Sequence, residues 1–169
     1  MGGLVSRSAC HTAAVAGHSW IAKLRKLAFF GTPHHGVALE RYGNWVDAAL
    51  GISSYSAPFA RLGKIRSAGV TDLRFGNVLD EDWEGRDRFQ LGRDARRPLP
   101  LPDGVECYAM AASADGLVSV DSALGRHARP ELTLAFPAAH QWVGPGLSHL
   151  DLLGHPEVCE VLGRWLSGG

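Results

Sequence analysis

Three apolar runs of strand length, separated by segments with helical spacing, constrain the fold of this chain more than any other feature. They occupy residues 26–31, 105–111 and 131–136. The first run is continuous rather than alternating, which is typical of a strand buried on both faces of a parallel sheet. Strands that alternate with helices along a chain favour an α/β protein. We therefore predict a parallel sheet flanked by helices in a single domain, for which 169 residues are sufficient.

Helices are predicted at both ends of the chain. The N-terminal pattern has apolar residues at three- and four-residue steps, followed by Gly17 as a C-terminal cap: Leu4, Val5, Ala9, Ala13 and Ala16. At the C-terminal end, Pro156 suits a first helical turn. The expected apolar face of that last helix contains Val158, Val161, Leu162 and Trp165. Between these ends, residues 37–79 are predicted to be irregularly helical, and residues 80–104 to form a long polar connection.

Composition excludes several classes of function. Seventeen basic residues balance seventeen acidic ones, so no binding of nucleic acid is expected. No apolar run reaches membrane-spanning length, and no signal-peptide pattern follows Met1. A cytoplasmic location is the default expectation for the chain as given, since any targeting segment would lie upstream. Cys10, Cys107 and Cys159 lack metal-binding spacing and are expected to be buried free thiols.

Two polar residues follow predicted strands. Asp115 lies in an Asp-Gly turn after the run at 105–111, and His149 lies in the glycine-rich loop after the run at 131–136. The carboxyl ends of parallel strands share one edge of a sheet, where ligands bind. A carboxylate there can orient a histidine that serves as a base toward a hydroxyl. We therefore predict that Asp115 and His149 form an acid–base pair. Asp121 and Asp151 are alternative acids, although Asp151 suits a role in holding the histidine loop.

The first residues of the chain match the second half of a Gly-x-Ser-x-Gly turn. Met1 takes the second variable position and Gly2 the closing glycine, so the serine would immediately precede Met1. The segment around Ser19 imitates this turn, but Ile21 stands where the closing glycine is required. No nucleophilic serine is therefore predicted within the chain as given.

Four short motifs together resemble the lipase and esterase branch of the α/β-hydrolase superfamily. The likeness is greatest to bacterial triacylglycerol lipases and to hydrolases similar to the GPI inositol-deacylases. The motifs are Met1-Gly2-Gly3-Leu4-Val5, Phe30-Gly31-Thr32-Pro33-His34-His35-Gly36, Asp115-Gly116-Leu117-Val118 and Ser148-His149-Leu150-Asp151. The resemblance spans nearly the whole chain and is weakest over 39–104. It implies that residues 1–169 are one partial domain, the C-terminal portion of an α/β-hydrolase fold. Within it, residues 37–104 would form a helical lid or cap and a polar loop.

The resemblance also implies a function and roles for particular residues. It implies hydrolysis of an ester or lipid substrate by a Ser-Asp-His acyl-enzyme mechanism, with Asp115 as the triad acid and His149 as the base. Met1 would lend its backbone N–H to the oxyanion hole. Because the serine would lie upstream, the chain as given is expected to be inactive. A start codon assigned too late would produce such a chain. No cofactor is implied. Calcium at Asp151 is a minor alternative, since some bacterial lipases bind calcium at the matching position.

Two other classes of function remain open. The chain could be a non-catalytic module that binds a lipid or a protein partner on a remnant of this fold. It could also bind a metal through His34 and His35, together with His11 or Cys10. Adjacent side chains at a strand end point in opposite directions, which disfavours a shared metal ion. We expect the two histidines to lie in a tight turn, hydrogen-bonded to neighbouring loops.

Overall fold

The structure, a computed structural model, describes residues 2–36, 76, 78–79, 82 and 96–168. Met1 and most of the predicted insertion at 37–104, including its helical part, lie outside the described residues. The described part of the chain contains a three-stranded parallel sheet with helices against it. This arrangement is an α/β architecture, as the alternation of strand-like and helical segments predicts.

The sheet consists of β1 (Lys26–Phe30), β2 (Glu106–Ala112) and β3 (Gln141–Gly144), in the order β1-β2-β3. All three strands are parallel, with β2 at the centre. The register places Phe30 of β1 opposite Met110. It places Gly144 of β3 opposite Ala112. The loops that follow the three strands therefore emerge at one edge of the sheet.

Within the described residues, three α-helices and four short 3-10 helices are complete and accompany the sheet. The α-helices are α1 (Gly2–Val15), α2 (Val120–Ala123) and α3 (Pro156–Ser167). The 3-10 helices are Ile21–Lys23, Pro130–Leu132, Ala138–His140 and Asp151–Leu153. Among the residues that the structure describes, no helix combines the length and the apolar character needed to cross a bilayer.

Apolar side chains pack on both faces of the central strand, because successive residues of a strand point to opposite faces. Cys107, Ala109 and Ala111 face a cluster that also contains Phe29 and buried residues of the 117–136 region. Met110 and Ala112 face the other way, toward a cluster completed by Leu147, Leu152, Val158 and Val161. Helix α3 covers this second face with the two valines, so β2 is buried on both sides. In β1, the strand for which the sequence predicts burial on both faces, only Phe29 is buried and the other residues are half-buried.

The third strand is not where the sequence pattern predicts it. Residues 131–136 alternate in burial as a strand would, with Leu132, Leu134 and Phe136 inside. Their backbone, however, begins in the 3-10 helix that starts at Pro130 and pairs with none of the described strands. The Leu134 N–H donates instead to the Gly125 carbonyl at 2.8 Å. The third strand is Gln141–Gly144, which lies in the loop region of the prediction.

Two smaller expectations are also corrected. Helix α1 buries Leu4, Arg7, Cys10 and Ala13, whereas Val5 is 66% exposed. The buried face therefore includes an arginine that hydrophobic spacing does not reveal, held by a hydrogen bond to the Leu99 carbonyl at 2.5 Å. Cys10 and Cys107 are buried free thiols as predicted, but Cys159 is exposed on α3.

The packing of Met110 allows a direct test of this core. Met110 is fully buried at the centre of the sheet, against Leu147, Leu152 and α3. Met110→Ala is expected to lower the free energy of unfolding by about 2–5 kcal/mol, because it leaves a cavity where the side chain cannot be replaced by water. Urea unfolding measures this change. Leu153→Ala removes a side chain that is 79% exposed and serves as the control. Equal losses in the two variants would contradict the assigned core.

Candidate functional site

Asp115 and His149 meet at the carboxyl edge of the sheet. Asp115 follows β2 and His149 follows β3, and the His149 Nδ1 atom lies 2.6 Å from Asp115 Oδ2. These two residues are 34 positions apart in the chain. The structure therefore brings together the two residues that the sequence pattern singles out, and it does so with the distance of a charge-assisted hydrogen bond.

The turn after β2 fixes the Asp115 carboxylate. Its Oδ1 atom accepts the backbone N–H groups of Leu117 at 2.7 Å and Val118 at 2.9 Å. This is the local Asx-type pattern that Asp-Gly sequences favour. The side chain of Asp115 is only 1% exposed. Both carboxylate oxygens are thus engaged, one by the backbone and one by His149, and the carboxylate has a single orientation.

Backbone hydrogen bonds tie the Asp115 loop to the His149 loop. The N–H of Ser113 donates to the Gly144 carbonyl at 2.9 Å, and the N–H of Ala114 donates to the Leu147 carbonyl at 3.0 Å. In return, the Gly146 N–H donates to Ser113 Oγ at 2.7 Å. These bonds continue the pairing of β2 with β3 beyond the strand ends. They explain why the two loops hold their side chains at contact distance.

The hydrogen bond to Asp115 determines the tautomer of neutral His149. An ionised carboxylate can only accept, so Nδ1 carries the proton and Nε2 is left with its lone pair. No described residue forms a hydrogen bond with Nε2, and the His149 side chain is 32% exposed. An oriented imidazole that has a lone pair on Nε2 and a partly exposed side chain is the arrangement that a general base requires.

Opposing effects act on the pKa of Asp115. Burial raises the pKa of Asp115, but the hydrogen bonds from His149, Val118 and Leu117 together outweigh it. The pKa of this carboxyl therefore lies below its usual range. The group remains ionised near neutral pH, which is the state needed to hold His149 and to stabilise its cation.

The lowered pKa of Asp115 has a consequence for acid stability. A carboxyl whose pKa is lower in the folded state stabilises the fold above its unfolded pKa of about 3.9, and this contribution is lost as the pH falls through the folded pKa. We expect the free energy of unfolding to decrease more steeply below about pH 5 in the wild type than in Asp115→Asn. Urea unfolding across this range measures both slopes. Asp121→Asn should keep the wild-type slope, and a wild-type slope in Asp115→Asn would contradict the prediction.

Neither alternative acid forms a hydrogen bond or an ion pair with His149. Asp121 lies on α2, is exposed, and pairs with Arg126 at 3.5 Å. Asp151 accepts both the N–H and the Oγ–H of Ser148 at 2.7 Å, through a single carboxylate oxygen. The Ser148 hydroxyl and N–H lower the pKa of Asp151. Asp151 thus holds the loop that carries His149, which is the role that the sequence interpretation favours. Of the three acids, Asp115 is the one that bonds to the imidazole.

The N-terminal end of α1 lies at the same edge of the sheet. A Cβ added at Gly3 would overlap the Thr32 side chain and come within 2.9 Å of Phe29 Cδ1, so α1 begins directly on the end of β1. Gly31, beside Thr32, touches the ring of His149. Met1, the residue predicted to serve the oxyanion hole, lies outside the described residues. None of the described serines forms a hydrogen bond with His149.

His34 and His35 lie in the predicted tight turn, in which the Gly36 N–H donates to the Pro33 carbonyl at 3.0 Å. The His35 N–H donates to Ser122 Oγ at 3.1 Å, as expected for a turn bonded to a neighbouring loop, but the ring of His34 does not form the expected hydrogen bonds. His34 is completely buried, and neither of its ring nitrogens has a hydrogen-bond partner. Its ring packs edge-on against Phe29 at a centroid distance of 4.8 Å, and burial followed by the charge of Arg7 lowers its pKa well below the ordinary value. Burial also lowers the pKa of His35 to about 4. In the described parts of the chain, no three His, Cys, Asp or Glu side chains come together as a metal site would require.

Sequence reasoning missed the groups that hold the pair in place. The backbone amides of Leu117 and Val118 could have been foreseen, since Asp-Gly turns commonly place such donors on the aspartate. Gly31 carries a weaker signal, a glycine at the end of an apolar run. The hydrogen bonds between residues 113–114 and residues 144–147 leave no signal in the sequence, because they depend on the pairing of β2 with β3.

Comparison of the chain with family models, curated proteins and solved structures finds no match.

Proposed function

We propose that this chain provides the acid and the base of an ester hydrolase with an α/β-hydrolase fold, Asp115 being the acid and His149 the base. The observation that carries the proposal is the 2.6 Å contact between His149 Nδ1 and the buried Asp115 carboxylate at the carboxyl edge of a parallel sheet. No described residue bonds to Nε2 of the partly exposed His149 ring, and this favours catalysis over a purely structural ion pair.

The nucleophile of the proposed enzyme is a serine encoded immediately upstream of Met1. Two observations support this step. Residues 1–3 match the end of a Gly-x-Ser-x-Gly turn. Helix α1, which begins at Gly2, starts on the end of β1, where Gly31 touches the His149 ring. A serine preceding this helix would lie close to the base. The backbone N–H of Met1 would then serve the oxyanion hole, which is worth roughly a hundred- to a thousandfold in rate.

The chemistry follows from the charges of the pair. The serine Oγ attacks the ester carbonyl while His149 Nε2 takes its proton, and Asp115 stabilises the imidazolium that forms. The imidazolium then returns the proton to the departing alcohol, which leaves an acyl-serine. Water attacks this acyl-enzyme with His149 again acting as base, releasing the acid and restoring the serine hydroxyl. Asp115 stays ionised throughout, in keeping with the direction of its pKa shift.

The substrate class in this proposal is a carboxylic ester with an apolar acyl group. Leu150, next to His149, is 59% exposed, and Leu153 in the same turn is 79% exposed. Leucines on the loop that carries the base would give an acyl chain an apolar surface to contact. Residues 37–104, proposed as the lid or cap, would complete the acyl pocket.

The test compares two proteins from the same reading frame. One is the chain as given, and the other begins far enough upstream to include the codons before Met1. Both are assayed on short- and long-chain p-nitrophenyl esters. We expect turnover by the extended protein only, abolished when its Gly-x-Ser serine is changed to alanine. A stop codon or the absence of Gly-x-Ser upstream would contradict the proposed nucleophile, as would turnover by the shorter chain.

A non-catalytic module is the second candidate. The same exposed leucines, Leu150 and Leu153, could bind a lipid or a partner protein without any reaction. This candidate predicts an inactive extended protein. It also predicts that the chain as given cosediments with phosphatidylcholine vesicles, and that Leu150→Ser with Leu153→Ser abolishes the binding.

A further inference from the structure

Gly31 lies at the point where the end of β1 meets the ring of the proposed base. Its backbone N–H donates to the Met110 carbonyl at 2.8 Å, which extends the pairing of β1 with β2 by one residue. Its φ is +51°, in the left-handed region that favours glycine. The sheet therefore holds the Gly31 N–H, and the positive φ turns the backbone at this residue.

The His149 ring occupies the space that a side chain at position 31 would fill. A Cβ at this position would lie 2.9 Å from His149 Cε1 and 3.0 Å from His149 Nδ1. It would also lie 3.0 Å from Leu152 Cδ1, so Leu152 closes the space from another side. Carbon atoms normally separate by about 3.5–4.0 Å, and a methyl group here would have to displace the ring or the backbone.

A methyl group at this position would push against the part of the ring that bonds to Asp115. The two atoms nearest the hypothetical Cβ include Nδ1, the same nitrogen that donates to the carboxylate at 2.6 Å. The carboxylate cannot follow the ring, because Leu117 and Val118 hold its other oxygen. Leu152, only 2% exposed, lies in the packed core and leaves little room behind.

We propose that Gly31 is a positioning residue for His149: the absence of a side chain at the end of β1 allows the imidazole to lie against the backbone and donate to Asp115. Gly31 touches no substrate in this proposal and acts only through the ring. The inference rests on the proposed function for its catalytic meaning. The geometric claim, that a Cβ at position 31 breaks the His149–Asp115 hydrogen bond, can be tested without catalysis.

The test reads the tautomer of His149 by NMR in the chain labelled with 15N-histidine. His149→Ala identifies the resonances of His149 among those of the eight histidines. Spectra are taken at alkaline pH, because the two tautomers are distinguished in the neutral form of an imidazole. In the wild type we expect Nδ1 to carry the proton. In Gly31→Asn we expect loss of that tautomer, with the proton moving to Nε2 as in a free imidazole.

Asparagine is chosen because it tolerates left-handed backbone better than alanine while still adding a Cβ. Gly17 provides the matched control, since its φ is +69° and nothing lies within 4 Å of a Cβ added there. Gly17→Asn therefore carries the same kind of backbone strain without the contact, and it should keep the wild-type tautomer. A wild-type tautomer in Gly31→Asn, or its loss in both variants, would overturn the proposal.

Stability measurements decide the case in which Gly31→Asn fails to fold. The same substitution is made in the His149→Ala background, where the ring is gone. We expect the substitution to lower the urea midpoint less in that background than in the wild type. If Gly31→Asn alone does not fold, we expect the double variant to fold. An equal loss in both backgrounds, or failure to fold in both, would assign the damage to the backbone and reject the positioning role. An inactive upstream-extended protein would refute the proposed function and leave these two readouts unaffected.

Discussion

Replacing His149 with alanine in the upstream-extended protein is expected to lower kcat for ester hydrolysis by about a millionfold, to the level left by the oxyanion hole and substrate binding. The physical reason is the loss of the group that accepts the proton of the serine in the proposed mechanism. His149 is partly exposed and lies on a loop, so the fold should tolerate the change. Stopped assays with p-nitrophenyl butyrate measure kcat and KM separately.

The control for this experiment is His18→Ala. His18 is exposed in the turn after α1, away from the sheet edge, and its loss should leave kcat within about twofold of wild type because surface changes of this kind are nearly neutral. Circular dichroism verifies that both variants are folded. A folded His149→Ala protein with more than a few per cent of wild-type turnover would remove His149 from the role of base.

Asp115→Asn is expected to lower kcat by about ten-thousandfold while KM changes little. An amide at this position can donate to His149 Nδ1, which stabilises the tautomer that carries its proton on Nε2 and removes the acceptor that the serine needs. It also withdraws the negative charge that stabilises the imidazolium. The side chains are nearly isosteric, so the hydrogen bonds from Leu117 and Val118 can persist and the loop should keep its shape.

The matched controls are the other two acids considered from the sequence. Asp121→Asn removes only an exposed ion pair with Arg126 and should retain full turnover. Asp151→Asn removes the charge but keeps an oxygen that can accept both bonds from Ser148, so it should give only a small loss. If Asp151→Asn proved as harmful as Asp115→Asn, the assignment of Asp115 as the acid would fail. A pH profile of kcat/KM separates a lost acid from a displaced loop.

Local signals in the sequence were sufficient for much of the fold. The runs at 26–31 and 105–111 predicted β1 and β2 to within a residue, because long apolar runs bounded by turn residues are recognisable without knowledge of their neighbours. Pro156 predicted the first turn of α3 for a similar reason. These features depend on residues close together in the chain.

The third strand shows where such signals mislead. The alternation of residues 131–136 reflects burial against the core, and burial can alternate without any strand pairing. A true strand of four residues, Gln141–Gly144, is too short to produce a pattern of its own. Its identity comes from backbone pairing with Ala109–Ala112. Strand pairing is a long-range property, and the sequence carried no local trace of it here.

The sequence by itself determined which residue types stand after the strands: an aspartate in an Asp-Gly turn after β2, and a histidine in a glycine-rich loop before α3. It also predicted the α/β class. Only the tertiary structure decided that Asp115, rather than Asp121 or Asp151, reaches His149. It alone showed that Gly31 makes room for the ring. The reason is physical: contacts across many positions are set by strand register and by loop-to-loop hydrogen bonds, and these exist only once the sheet has assembled.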